Sequence, residues 1–177
     1  MGSGLSGKLQ VYQGRRDAGI ELLRESLDTL RVGRHHILAL PLTADLSEAL
    51  AAAGNYNEAQ ALIDAIVGED EQNGGSWYTP ELLRIRGVIL ASIEGAASTS
   101  AQASLRQALS VARQQSALSW ELRIAINLAR NFCKIGKMTE ATKELSAIYD
   151  RFTEGHKSPD LARAAQLLQS MRAAPSE

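Results

Sequence analysis

The chain has 177 residues, of which Ala (27) and Leu (24) supply 51, while aromatic residues make up 5% and there are only 5 Val. A mix so poor in strand formers and so rich in helix formers excludes an all-β fold, and the length suits one or two domains burying roughly 70% of their unfolded surface. The net charge of −1 implies neither nucleic acid nor an anionic membrane as a partner.

Met1 to Gly4 read as an expression remnant, leaving a single domain over residues 5–172. Apolar spacing then predicts a short helix over 5–13 and a longer one over 15–32 that pairs back against it, with Ile20, Leu23, Leu27 and Leu30 inward. A third helix is predicted over 36–53. It contains Pro41, which removes a backbone donor and predicts a bend or a fresh start there. Residues 56–67 read as the fourth helix, and Gly68 to Ser76 as the longest and most mobile polar loop. Pro80 opens a fifth helix at a favoured first-turn position, running to about 94. Helices over 100–115, 119–135 and 138–153 follow. Pro159-Asp160 starts a ninth helix to about 172, which lacks a partner and reads as a cap, and the tail 173–177 is expected to fray.

A repeat runs through these elements. Turn glycines Gly14, Gly54 and Gly136 each have a small residue seven positions upstream (Gly7, Ser47, Ala129) and another five downstream (Gly19, Ala59, Ala141). Gly87 and Ala101 form a further pair with a turn looser by two residues. The first anchors are spaced by 40, 40 and 42 residues. Small residues at such points let two helices approach closely, and four copies at a steady period mean a solenoid rather than a closed bundle. Seven positions past the second anchors stand Ser26, Ile66, Ala108 and Ile148, the weakest part of the pattern.

The paired small residues resemble tetratricopeptide repeats, whose usual unit is about 34 residues; a period near 40 implies longer helices or loops. Longer strings carry a closer resemblance: Ser76 to Gly87 (SWYTPELLRIRG), Ala117 to Arg123 (ALSWELR), and Asp150 to Gly155 (DRFTEG) followed by Pro159-Asp160-Leu161. Together they are similar to the C-terminal tetratricopeptide array of bacterial multidomain signalling ATPases, of the winged-helix transcriptional regulator or the adenylate/guanylate cyclase type. The resemblance covers residues 7 to 170. It implies an all-α helix-pair solenoid of about four repeats plus a C-terminal capping helix. It also implies a non-enzymatic interaction or sensor array of a cytoplasmic regulator, partnered by its own upstream ATPase module. A cyclase array or a stand-alone adaptor is the alternative. The short apolar run of the first helix favours a fragment of a longer chain.

Chemistry is sparse. The Gly74-Gly75 pair lacks the following Gly-Lys-Ser/Thr of a phosphate loop, so no nucleotide cofactor is expected. His35 and His36 are adjacent and diverge by about 100° on a helix, and His156 stands alone, so no metal is expected. Cys133, the single cysteine, excludes an internal disulfide, fits a reducing cytoplasm and reads as a structural thiol. No apolar run reaches the ~18 residues of a membrane span, and no secretory leader is evident. No catalytic set stands out.

Trp77 and Trp120 lie ten and nine residues before their anchors, as ligand-stacking platforms or as wedges at helix entrances. If the first helices of each pair line the concave face, as the resemblance implies, Arg84, Arg123, Arg130 and Lys134 point inward. The last three share one helical stripe that could grip an acidic protein or peptide, or a phosphate. The alternative is a solvated face partly paired with Glu81, Glu121 or Glu140.

Overall fold

Glycine turns and apolar spacing divide the chain into α1 (Gly2–Tyr12), α2 (Arg16–Val32), α3 (His36–Ala52), α4 (Tyr56–Gln72), α5 (Thr79–Glu94), α6 (Thr99–Gln114), α7 (Leu118–Lys134), α8 (Met138–Tyr149) and α9 (Pro159–Ala173). The computed structural model describes residues 2–32, 36–155 and 157–173, and among them there is no strand. His35, His156 and the tail from 174 onward lie outside the described residues, as do the side chains of residues 3, 31, 32 and 36–38. The turns form where expected: Gly14, Gly54 and Gly136 take positive φ of 81°, 87° and 77°, a conformation glycine adopts without a Cβ penalty.

Each helix packs on its neighbours in sequence. The odd-numbered helices also touch one another in order, α1 to α3, α3 to α5, α5 to α7 and α7 to α9, whereas no two even-numbered helices do among the described residues. The odd helices therefore form an inner layer and the even ones an outer layer. One continuous core runs between the layers from Ile20 to Met171. Its fully buried leucines and isoleucines, among them Leu23, Leu50, Ile63, Leu83, Leu105, Ile124 and Leu145, each contribute about 1.5–3 kcal/mol.

The repeat anchors sit at the points of closest approach. A Cβ on Gly7 would lie 3.0 Å from the Gly19 carbonyl oxygen, and one on Gly87 would lie 2.7 Å from Leu105 Cγ and 3.1 Å from the Ala101 carbonyl oxygen. Ser47, Ala59, Ala101, Ala129 and Ala141 are buried without residual exposure. The Ser47 hydroxyl is satisfied by donating to the Thr43 carbonyl at 2.8 Å.

Four elements differ from expectation. α1 begins at Gly2, and Gly4 is buried against the Leu42 side chain. α3 continues through Pro41 without a fresh start. α8 stops at Tyr149 rather than 153, where the Asp150 and Arg151 amides close a turn onto Ser146 and Ile148.

The largest difference is at Gly68 to Ser76: α4 runs on through Gly68 to Gln72, leaving only a short connection to α5. Val67 and Asp70 are buried there, and the Asp70 carboxylate accepts a hydrogen bond from the Thr79 hydroxyl at the start of α5. Asn73 caps the helix by donating from Nδ2 to the Glu69 carbonyl at 2.7 Å, and the Gly75 amide returns to the Asp70 carbonyl at 2.8 Å. Gln115, from the α6–α7 turn, donates to the Ser76 carbonyl at 2.9 Å. Polar composition suggested a loop, but the polar groups are spent on each other.

Candidate functional site

The inner layer carries a line of charges that crosses every odd-to-odd helix contact. Lys8 on α1 meets Asp45 on α3 at 2.7 Å. Glu48, one turn further along α3, meets Arg84 on α5 at 2.5 Å. Arg84 is also held by Glu81 of its own helix, Nε to Oε2 at 2.8 Å and Nη2 to Oε1 at 3.0 Å. Glu81 reaches across to Arg123 on α7 at 2.8 Å, and Arg123 approaches Asp160 on α9 at 3.7 Å.

Burial sets the electrostatics of this line. Arg84 is 5% exposed; burial alone would favour its neutral form, but the carboxylates of Glu48 and Glu81 outweigh this and hold the guanidinium charged, above the ordinary arginine range. Asp45 is pushed above the usual carboxylate range by burial, with Lys8 offsetting part of the effect and Glu48 and Glu81 adding to it. Tyr78, which lies against the same group, has its phenol pushed up by burial and by the Glu81 carboxylate.

Aromatic rings support one end of the line. Tyr78 packs edge-to-face on Trp120 with centroids 5.6 Å apart, and the Arg123 guanidinium lies 5.2 Å over the Trp120 ring. Trp77 and Trp120 do not occupy equivalent places. Trp77 is 57% exposed at the turn, whereas Tyr78, nine residues before Gly87 as Trp120 is nine before Ala129, is the buried counterpart. The one-residue offset between the two tryptophans was the signal.

The four inward cations divide into two kinds. Arg84 is interior and Arg123 is held by Glu81 and Asp160, so both bind the array to itself. Arg130 and Lys134 are exposed on α7, with no ion pair among the described residues. The residues following the first anchors are Lys8, Glu48, Val88 and Arg130. Lys8 and Glu48 find opposite charges on the next inner helix, at Asp45 and Arg84.

Away from α7, a groove of about 480 Å³ is lined by residues of α1 to α5. Val11, Tyr12, Ala49, Ala52, Tyr56 and Val88 form its apolar wall, and Lys8, Asp45 and Glu48 its charged edge. Of the carboxylates named from sequence, Glu81 is in the line, while Glu121 is buried on α7 and taken by Arg151 at 2.5 Å and Arg113 at 3.6 Å. Cys133 is half-buried with its Sγ 3.5 Å from Met138 Sδ, and burial pushes the thiol up, away from the reactive thiolate. Among the described residues no group of three potential metal ligands comes together.

No protein-family model matches the chain, and no curated protein does. Among solved structures, it is similar to a protein of Podosopora anserina assigned as a kinesin light chain with nearly identical TPR-like repeats. The TM-score is 0.69 at 19% identity, over 97% of this chain and 92% of that one. A substituted form of the same protein matches equally, at TM-score 0.69, 19% identity, and 97% and 92% coverage. The agreement over nearly the whole of both chains shows the fold: an all-α, tetratricopeptide-like solenoid of helix pairs.

Proposed function

We propose that the chain is a non-enzymatic protein-interaction array whose inner face takes an acidic segment of a partner protein. One observation carries this reading: Arg130 and Lys134, four residues apart on an inner helix, stay unpaired where neighbouring inner cations are neutralised. An unspent i, i+4 pair of cations on an inner helix suits the carboxylates of an acidic peptide segment.

Titration with labelled Glu/Leu-containing peptides, against Lys/Leu counterparts, tests it by fluorescence anisotropy. Acidic peptides should bind in a salt-sensitive way, and the Arg130→Glu/Lys134→Glu variant should lose most of that affinity. Equal affinity for both peptide classes, or an indifferent double variant, would overturn the reading.

The finer assignment, to a cytoplasmic bacterial signalling ATPase of the transcriptional-regulator type, is supported by the strings Ser76 to Gly87, Ala117 to Arg123 and Asp150 to Gly155. An adenylate/guanylate cyclase array or a stand-alone adaptor is the alternative. Partner binding on the inner face would then favour one curvature of the stack and bias the attached ATPase, which requires different affinities for two states. No described helix is long and apolar enough to cross a membrane. An immunoblot of source-cell lysate tests this assignment. A band several-fold heavier than 19.1 kDa supports it, and a band at that mass leaves the adaptor.

A further inference from the structure

A second cavity lies within a helix pair, between an inner and an outer helix. Between α3, α4 and the connection to α5, a pocket of about 520 Å³ has Leu40, Leu62, Ala65 and Ile66 as apolar members and Thr43, Asp70 and Ser76 as polar ones. Small-molecule sites have this size and this make-up, mostly apolar with a few placed polar groups. The repeat register shows what sets the pair apart. Four residues before its first anchor, and seven and eleven past its second, stand Thr43, Ile66 and Asp70. The next two pairs carry Leu83, Ala108 and Ala112, then Ala125, Ile148 and Phe152, all apolar. A hydroxyl and a carboxylate thus stand where the other pairs place carbon.

Asp70 also lacks a counter-ion. It is 5% exposed, and its side-chain partner is the Thr79 hydroxyl, a neutral donor to Oδ2. The other buried carboxylates among the described residues are each met by two arginines, Glu81 by Arg84 and Arg123 and Glu121 by Arg151 and Arg113. Asp45 meets Lys8. No cation comes within ion-pairing distance of Asp70 among the described residues. A buried charge is costly unless paired, and one neutral hydrogen bond leaves most of the acceptor sites of a carboxylate open.

We propose that this pocket binds a small amphiphilic amine, its ammonium on Asp70 and its apolar body against Leu40, Leu62 and Ile66. The ammonium supplies the missing charge and three donors; Asp70 takes one, and the Thr43 hydroxyl on the facing helix offers a further acceptor. The same carboxylate repels an anion, and a neutral apolar molecule would leave it unpaired, so the site selects for positive charge. The proposal is independent of the acidic-peptide reading, whose cations lie on α7 and whose ligand has the opposite charge.

Titration of the full chain with phenylbutylamine, followed by two-dimensional amide NMR, tests it, with phenylbutanoate and phenylbutanol as the anionic and neutral counterparts. The amine should shift the amides from Leu62 to Asp70 and around Thr43, saturating at about 1 mM, while the acid leaves them in place. Asp70→Asn keeps the shape and an acceptor for Thr79 but removes the charge, and should weaken the amine by about ten- to a hundredfold. Ala65→Trp, at an exposed position on the pocket wall, should block the amine without touching the carboxylate, so the proposal stays testable even if Asp70→Asn fails to fold. Equal binding of amine and acid, an affinity unchanged in either variant, or shifts centred on another face would each overturn it. So would an amine that causes no saturable shift up to about 10 mM.

Discussion

Glu81 Oε1 lies 2.8 Å from Arg123 Nη2 across the α5–α7 contact, and the same carboxylate holds the buried Arg84 on its own helix. One side chain thus neutralises two cations on two repeats. Removing it leaves the buried Arg84 with Glu48 as its one carboxylate. Glu81→Ala is expected to cost about 3–5 kcal/mol, measured by urea unfolding. Arg130→Ala, at an exposed and unpaired position, should stay within about 0.5 kcal/mol. A loss under about 1 kcal/mol for Glu81→Ala would mean that Glu48 and Asp160 take over both cations, and the line would then be redundant rather than keyed on one residue.

Three glycines separate close approach from open space. A Cβ at Gly19 would lie 2.5 Å from Val11 Cγ2 and 2.8 Å from the Gly7 carbonyl oxygen, and the backbone cannot yield as a side chain can. At Gly87 the shortest contact is the Leu105 side chain, and at Gly68, inside α4, nothing lies within 4 Å. Gly19→Ala should therefore destabilise more than Gly87→Ala. Gly87→Leu should cost on the order of 1–3 kcal/mol by overpacking, and Gly68→Ala should stabilise by about 0.5–1 kcal/mol. Thermal melts of the four variants give the order, and a different order would mean that the repeat register is misplaced.

These glycines also mark what the sequence made legible. The twelve-residue spacing of small residues located the helix pairs because close packing of two helices leaves a signature in residue size. The inner cations were legible as a stripe on α7, but not their partners. Asp45, Glu48 and Asp160 lie 36 or 37 residues along the chain from Lys8, Arg84 and Arg123, the cations they meet. Only the stacking of repeats brings them together. Comparing the residues after the anchors, Lys8, Glu48, Val88 and Arg130, would have shown the alternation of charge and its gap at Val88. The Gly68 to Ser76 segment misled for the opposite reason. Its polarity was visible, but the pairing of Asp70 with Thr79 that turns polarity into order was not.

That pairing makes its own prediction. The Asp70 carboxylate is buried, and the Thr79 hydroxyl is its side-chain donor across the α4–α5 connection. Thr79→Val keeps the shape and deletes the donor, so the lost hydrogen bond and the stranded acceptor should cost about 1–3 kcal/mol. Hydrogen exchange at the Gly75 amide, which is bonded to the Asp70 carbonyl at 2.8 Å, should quicken in the variant. Unchanged exchange and stability would show that the cap at Asn73 holds the connection alone.

Asp45 gives the array a pH dependence whose sign follows from its environment. Burial raises its folded-state value above the ordinary 3.8, Lys8 recovers only part of the cost, and the carboxylates of Glu48 and Glu81 add to it. The folded state therefore binds the Asp45 proton more tightly than the unfolded chain does. This contribution to stability is full below the unfolded value and is lost as pH rises through the folded one. At pH 7 the ionised group is a net liability. Asp45→Asn, which keeps the shape and removes the charge, should melt higher than the parent at pH 7, with the difference closing as pH falls towards 3.8. Lys8 can lose its partner without being stranded, because its side chain is 39% exposed. A variant less stable than the parent at pH 7 would mean that the Lys8–Asp45 pair contributes more than burial takes away.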